Sequence, residues 1–142
     1  MLAKISPKSG IKNGGHIRNK VINKLNKYVR KKNKNESGGI LLGNVYNSFC
    51  EIVKATTPNK YDSSGPNIFI RSKKGAQPLI NKAWKNSNGT EIYLGEWHTH
   101  FENSPKPSLI DRHMIFDSLR KTKMEIEFLF LIIVGLNRSI WV

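Results

Sequence analysis

The segment Gly95-Glu96-Trp97-His98-Thr99-His100, followed by Ser108-Leu109-Ile110-Asp111, carries the residue types that do chemistry. In an extended strand, side chains two apart share one side, so His98 and His100 present two imidazoles to one point in space, as two ligands of a single metal ion require. Asp111 falls in the first turn of the helix expected after a proline-bearing loop at residues 101–107. That loop can fold the turn back over the strand end and supply a carboxylate as third ligand. Two histidines and a carboxylate with an open fourth position form the catalytic type of zinc site, where the ion lowers the pKa of a bound water to about 7. Amide hydrolysis also needs a carboxylate that does not ligate the metal, to take and deliver protons. Glu36 is the candidate, because it precedes Gly38 and Gly39 at the start of a strand, where backbone can approach a bound chain closely. Ser108 is the candidate donor to the oxyanion, a role worth on the order of 2.7–4 kcal/mol for a comparable group.

Each feature also has a plainer reading. A His-x-His pair alone is more often polar surface or satisfied core. Ser108-x-x-Asp111 is also an N-cap with an acidic third residue, which favours helix initiation without any metal. Gly38-Gly39 can mark a bulge. Trp97 points away from the imidazoles by alternation and reads as core, whereas Glu96 shares the histidine side and reads as a surface carboxylate or a partner that orients an imidazole. His16 and His113 lie off the constellation and are excluded as ligands.

Positioning these groups requires a small set of elements. Ile17, Val21, Ile22, Leu25, Tyr28 and Val29 recur at helical spacing, which predicts an amphipathic helix over residues 15–33 with a lysine-studded outer face. Residues 38–53 read as a β-hairpin turning at Asn47-Ser48, residues 58–67 as a polar loop, and residues 68–70 as a short strand. A helix over 74–86, a strand over 91–98, a helix over 108–121 and a fully buried strand over 126–134 follow, with a last strand at 140–142.

A chain of 142 residues is the length of one domain, read as a basic lead-in and helix over 1–35 packing on a catalytic domain over 36–142. Its 24 Lys and Arg against 10 Asp and Glu give a formal charge of +14, which attracts polyanions yet also follows from a Lys-, Ile- and Asn-rich composition. One cysteine, Cys50, excludes an internal disulfide framework and fits a reducing, cytoplasmic setting. The longest apolar run, residues 128–134, is far below the roughly 18 residues of a membrane span.

Glu36, then His98-Thr99-His100, seven residues, and Ser108-Leu109-Ile110-Asp111 resembles the JAMM motif of the JAB/MPN metallopeptidases, with matching spacing throughout. The flanking text, residues 36–43 and 93–100, most resembles the prokaryotic branch of CBASS anti-phage operons. The resemblance implies an α/β (α+β), cytidine-deaminase-like fold with a mixed sheet between helices, and one Zn2+ held by His98, His100 and Asp111. It implies an acid/base role for Glu36 and oxyanion stabilisation by Ser108. It also implies a deubiquitinase-like isopeptidase that frees a cGAS-like nucleotidyltransferase (CD-NTase) from proteins to which an E1–E2-like conjugating partner has joined it. Phe101 stands where the family usually has proline. The extended tail is expected in a cleft walled by Gly38-Gly39 and residues 58–67. The alternative is a non-catalytic module whose basic helix holds an acidic protein or, non-specifically, nucleic acid.

Overall fold

The computed structural model describes residues 3–5, 15–30, 35–47, 49–121 and 128–142. Its strands are β1 (Ala3–Ile5), β2 (Gly15–Ile17), β3 (Gly38–Val45), β4 (Cys50–Ala55), β5 (Ser63–Gly65), β6 (Ile68–Ile70), β7 (Ile92–Thr99), β8 (Phe130–Val134) and β9 (Ile140–Trp141). The helices are α1 (Asn19–Arg30), α2 (Lys73–Asn86) and α3 (Leu109–Lys121). Seven strands make one sheet in the order β1-β2-β4-β3-β7-β8-β9, and β5 and β6 form a separate hairpin. The β2–β4 and β7–β8 pairs are parallel and the other pairs antiparallel, so the sheet is mixed, as expected for this α/β class.

Each sheet face has its own apolar layer. Leu41, Ile52, Leu94, Trp97, Ile132 and Val134 join Val21, Leu25 and Val29 of α1 on one face. Ile40, Leu42 and Tyr93 meet Ala76 and Ala83 of α2 on the other. Trp97 is fully buried, as its place in the alternation implies, and its Nε1 donates to the Thr56 carbonyl oxygen at 2.9 Å. A buried large side chain of this kind contributes roughly 1.5–3 kcal/mol through area removed from water. No described helix is long and apolar enough to cross a membrane.

Two departures from the sequence reading concern element ends. Residues 15–17, read as the first turn of the helix, are a strand beside Cys50–Ile52, and α1 begins only at Asn19. The polar loop over 58–67 contains β5, whose residues pair with Ile68–Ile70. The expected helix end at residues 31–33 and strand start at 126–127 lie outside the described residues.

The strand that carries the histidines is irregular. Leu41 and Leu42 of β3 face Gly95 and Tyr93, so Leu94 is an extra residue, and the bulge resets the alternation. Gly95 adopts φ of 143°, and a Cβ there would stand 1.9 Å from the Phe130 carbonyl oxygen. Only glycine accepts both conditions. Beyond the bulge, Glu96 shares the α2 side with Tyr93, and His98 follows on the same side.

Candidate active site

Strand register explains how residues more than sixty apart meet. Gly38 pairs with His98, so two residues before β3 the chain brings Glu36 level with His100. The join is fastened by backbone: Thr99 N–H donates to the Ser37 carbonyl oxygen at 2.9 Å, and Ser37 N–H donates to Thr99 Oγ1 at 2.9 Å. Glu36 N–H donates to the Gly65 carbonyl oxygen at 2.8 Å, and Ser64 Oγ donates to the Glu36 carbonyl oxygen, so the β5–β6 hairpin holds Glu36 from the other side. His100 N–H donates to Val134 of β8 at 2.9 Å, which fixes the last histidine at the strand end.

The second carboxylate, Asp111, arrives on α3. Ser108 N–H donates to Asp111 Oδ2 at 2.8 Å, and Asp111 N–H donates to Ser108 Oγ at 3.1 Å, a reciprocal cap at the start of the helix. The same Oδ2 lies 3.2 Å from His98 Nε2 and 3.1 Å from His100 Nε2. Capping and approach to the imidazoles are therefore made by one oxygen. Glu36 Oε1 stands 3.7 Å from His100 Nε2. Glu36, His98, His100 and Asp111 are all buried, while Ser108 is exposed at the rim.

The geometry suits a metal ion. Four-coordinate zinc with bonds of about 2.0–2.1 Å places its ligand atoms roughly 3.3 Å apart, close to the 3.1 and 3.2 Å that separate Asp111 Oδ2 from the two imidazole nitrogens. Ligand atoms of Glu36, His98 and His100 also fall within 4.8 Å of one another. Glu36 Oε2 and His98 Nε2 are buried without a hydrogen-bond partner among the described residues. Buried polar atoms are rarely left so, and a cation would satisfy such acceptors.

Electrostatics separate the two carboxylates. Burial raises the Glu36 carboxyl from 4.5 to about 7, against the lowering pull of His100 and His98. Burial acts on Asp111 in the same direction, but the His100 and His98 imidazoles and the Ser108 N–H outweigh it and hold Asp111 well below the usual carboxylate range. The hydrogen bond with Asp111 raises His100 above its ordinary value, with burial opposing. Two carboxyls with divergent pKa values in one site is the pattern by which acid/base and charge-holding roles are divided.

Other assignments shift. Gly38 and Gly39 do not face a cleft: a Cβ on Gly38 would meet the Phe69 ring at 2.5 Å, and one on Gly39 would meet the Thr56 carbonyl oxygen at 2.4 Å. Neighbouring protein fills the space that had been assigned to a bound chain, so their smallness serves internal packing. Residues 58–67 do form a wall, since Pro58, Asn59, Asp62 and Ser64 line a cleft of about 450 Å³ with Glu36, Ser37 and Phe69. Glu96 touches no imidazole among the described contacts. It accepts from Arg71 Nε at 2.6 Å, Tyr93 Oη at 2.9 Å and Ser118 Oγ at 3.2 Å, tying α3 to β7 and to the start of α2. Sequence reading missed Arg71, Tyr93 and Ser118; the signal was an acidic residue amid apolar strand neighbours. His16 packs on Phe49 at 5.3 Å and His113 is exposed, both away from the site.

A family model described as prokaryotic homologs of the JAB domain matches residues 18–142. The chain belongs to this JAB-domain family. Among curated relatives, proteins named CD-NTase/cGAS isopeptidase from Escherichia coli and Vibrio cholerae are 32% and 35% identical over 127 and 106 residues. These matches cover 89% and 75% of this chain, and 78% and 65% of the relatives. A Pseudomonas aeruginosa protein of the same name is 42% identical over 54% of this chain, and the chain spans about half of that relative's length (49%). The solution structure of a protein from Desulfitobacterium hafniense superposes with a TM-score of 0.65 at 20% identity, over 88% of this chain and 78% of that one, a likeness of fold.

Proposed function

We propose that this JAB-domain protein is a zinc-dependent isopeptidase that hydrolyses the amide bond following the C-terminal tail of a conjugated protein. The substrate class is a CD-NTase joined to its targets by an E1–E2-like conjugating partner, as in CBASS defence, and the names of the curated relatives support it. The observation that carries the reading is the approach of Asp111 Oδ2 to the Nε2 atoms of His98 and His100, at 3.2 and 3.1 Å, with Glu36 Oε1 standing 3.7 Å from His100 Nε2.

In this reading His98, His100 and Asp111 hold the ion. An ion held there would supply Lewis acidity, polarising the scissile carbonyl and lowering the pKa of water. Glu36 takes a proton from the attacking water and returns it to the departing amine nitrogen, a transfer suited to a carboxyl whose affinity for protons burial has raised. The Ser108 hydroxyl accepts from the Asp111 N–H and keeps its own proton to donate to the carbonyl oxygen as that atom gains charge. The tail lies in the cleft beside Glu36, walled by residues 58–67.

The test is mass spectrometry of a CD-NTase conjugate whose C-terminus is linked to a reporter lysine, incubated with the wild type and with Asp111→Ala. Scission at the isopeptide bond by the wild type alone is the expected result. No scission, or equal scission by the variant, overturns the assignment.

A further inference from the structure

A second concavity, of about 730 Å³, opens between α1 and α2. Its lining includes Val53, Lys54, Ala55 and Thr56 in unbroken succession, continuing through Thr57 to Asn59. Alternate residues of a strand point to opposite faces, so a groove lined by consecutive residues runs along the edge of that strand. Strand pairing agrees: β2 covers β4 only at Cys50–Ile52, and among the described residues no strand lies beside Val53–Ala55 on the side away from β3.

The groove is apolar at its floor and basic at its rim. Val21 of α1, Leu79 of α2, Val53 and Ala55 supply the floor, and Lys20, Lys24, Lys54 and Lys82 supply the charge. Lys24 Nζ donates to the Ala55 carbonyl oxygen at 2.6 Å, and Lys54 pairs with Glu91, the acidic residue of the lining, at 3.1 Å. Lys20 and Lys82 are exposed, one on each bank, and have no carboxylate in ion-pair range among the described residues. Among the described residues no aromatic ring lines the groove on which a base could stack, and no arginine lines it to fork a phosphate.

Thr57, Pro58 and Asn59 line this groove and also the cleft that holds Glu36. The junction is anchored, since Asn59 N–H and Ser72 N–H donate to the two oxygens of Asp62, each at 2.7 Å. We propose that the groove between α1 and α2 docks an extended acidic segment of the protein partner, laid along the free end of β4 so that the chain continues past Pro58 toward Glu36. The run from Val53 to Asn59 offers a path for an extended segment whose acidic side chains meet Lys20 and Lys82 and whose apolar ones meet the floor. The identity of the partner as the conjugated protein rests on the isopeptidase reading, while the docking itself does not.

The experiment reads binding rather than turnover. Fluorescence anisotropy of a labelled ten-residue peptide alternating Glu and Val is followed with the full chain at low salt. Lys20→Glu/Lys82→Glu is expected to weaken binding by about tenfold, and moderate salt to weaken it comparably. Lys27→Glu/Lys73→Glu, with the same change of net charge on the same two helices outside the groove, is expected to leave it within about twofold. Equal loss in both variants shows a diffuse field and overturns the groove, as does absence of binding or of any loss. Tighter binding of a ten-nucleotide oligothymidylate than of the peptide overturns the protein partner in favour of nucleic acid. Circular dichroism of each variant checks the fold, and a failure of hydrolysis leaves all these arms readable.

Discussion

Replacing Glu36 by Gln should make the metal-free protein more stable and the loaded enzyme nearly inert. The side chain is 6% exposed, and its Oε2 lacks a hydrogen-bond partner among the described residues, so ionising it in the folded state is costly. The rise from 4.5 to about 7 corresponds, at 1.36 kcal/mol per pH unit, to roughly 3 kcal/mol. A carboxyl whose folded pKa is raised binds more protons in the folded state between the two values, so stability falls as pH climbs from 4.5 to about 7 and is level above. Gln is nearly isosteric and never pays this cost. Differential scanning calorimetry in chelator should therefore show similar Tm values at pH 4 and a Tm for Glu36→Gln higher by about 10 °C at pH 8, taking 2–4 °C per kcal/mol for a domain of about this size. Turnover by the metal-loaded variant should drop by about 10²–10⁴ with metal retained. A Tm that falls at pH 8, or unaltered turnover, refutes the argument that burial has made Glu36 a base at the expense of stability.

Further outcomes follow from the same geometry. Metal affinity should rise with pH through the raised pKa of His100, because the ion must displace the imidazole proton, and calorimetry in buffers of different ionisation enthalpy should register proton release. The stabilisation of the metal-free fold by the His100–Asp111 pair runs the opposite way: it is full below about 6.5 and is lost as pH rises through the folded value. Ser108→Ala should cost about 1 kcal/mol in urea unfolding through loss of the cap to Asp111, and about 10²–10³ in kcat through loss of the oxyanion donor. Gly95→Ala, facing the Phe130 carbonyl oxygen at 1.9 Å, should fail to give a cooperative urea transition.

The site was legible because its chemistry is written in residue types at fixed intervals. The two-residue period places His98 and His100 together without knowledge of any other strand. Ser108 and Asp111 announce a helix start that the structure uses both as cap and as carboxylate delivery. The approach of Glu36 to His100 depends on the β3–β7 register, and periodicity alone does not fix register between strands. The bulge at Leu94 escaped for a related reason, since a glycine inside a strand pattern becomes a bulge only against a partner. Gly15–Ile17 looked helical because Ile17 continues the apolar stripe of α1; its pairing with Cys50–Ile52 is a contact across more than thirty residues that prevails over local pattern. At Gly38 and Gly39 the sequence does not distinguish close approach from within the fold, which Phe69 and Thr56 make, from close approach by a ligand.

In the proposed mechanism His98, His100 and Asp111 hold an ion on which amide hydrolysis depends. The most direct measurement is the initial rate of cleavage of a CD-NTase–reporter conjugate before chelation, after chelation, and after readdition of one equivalent of zinc per chain. Cleavage is expected to be lost on chelation and to return with zinc. A rate unaffected by removal of bound metal, verified by elemental analysis, contradicts that mechanism.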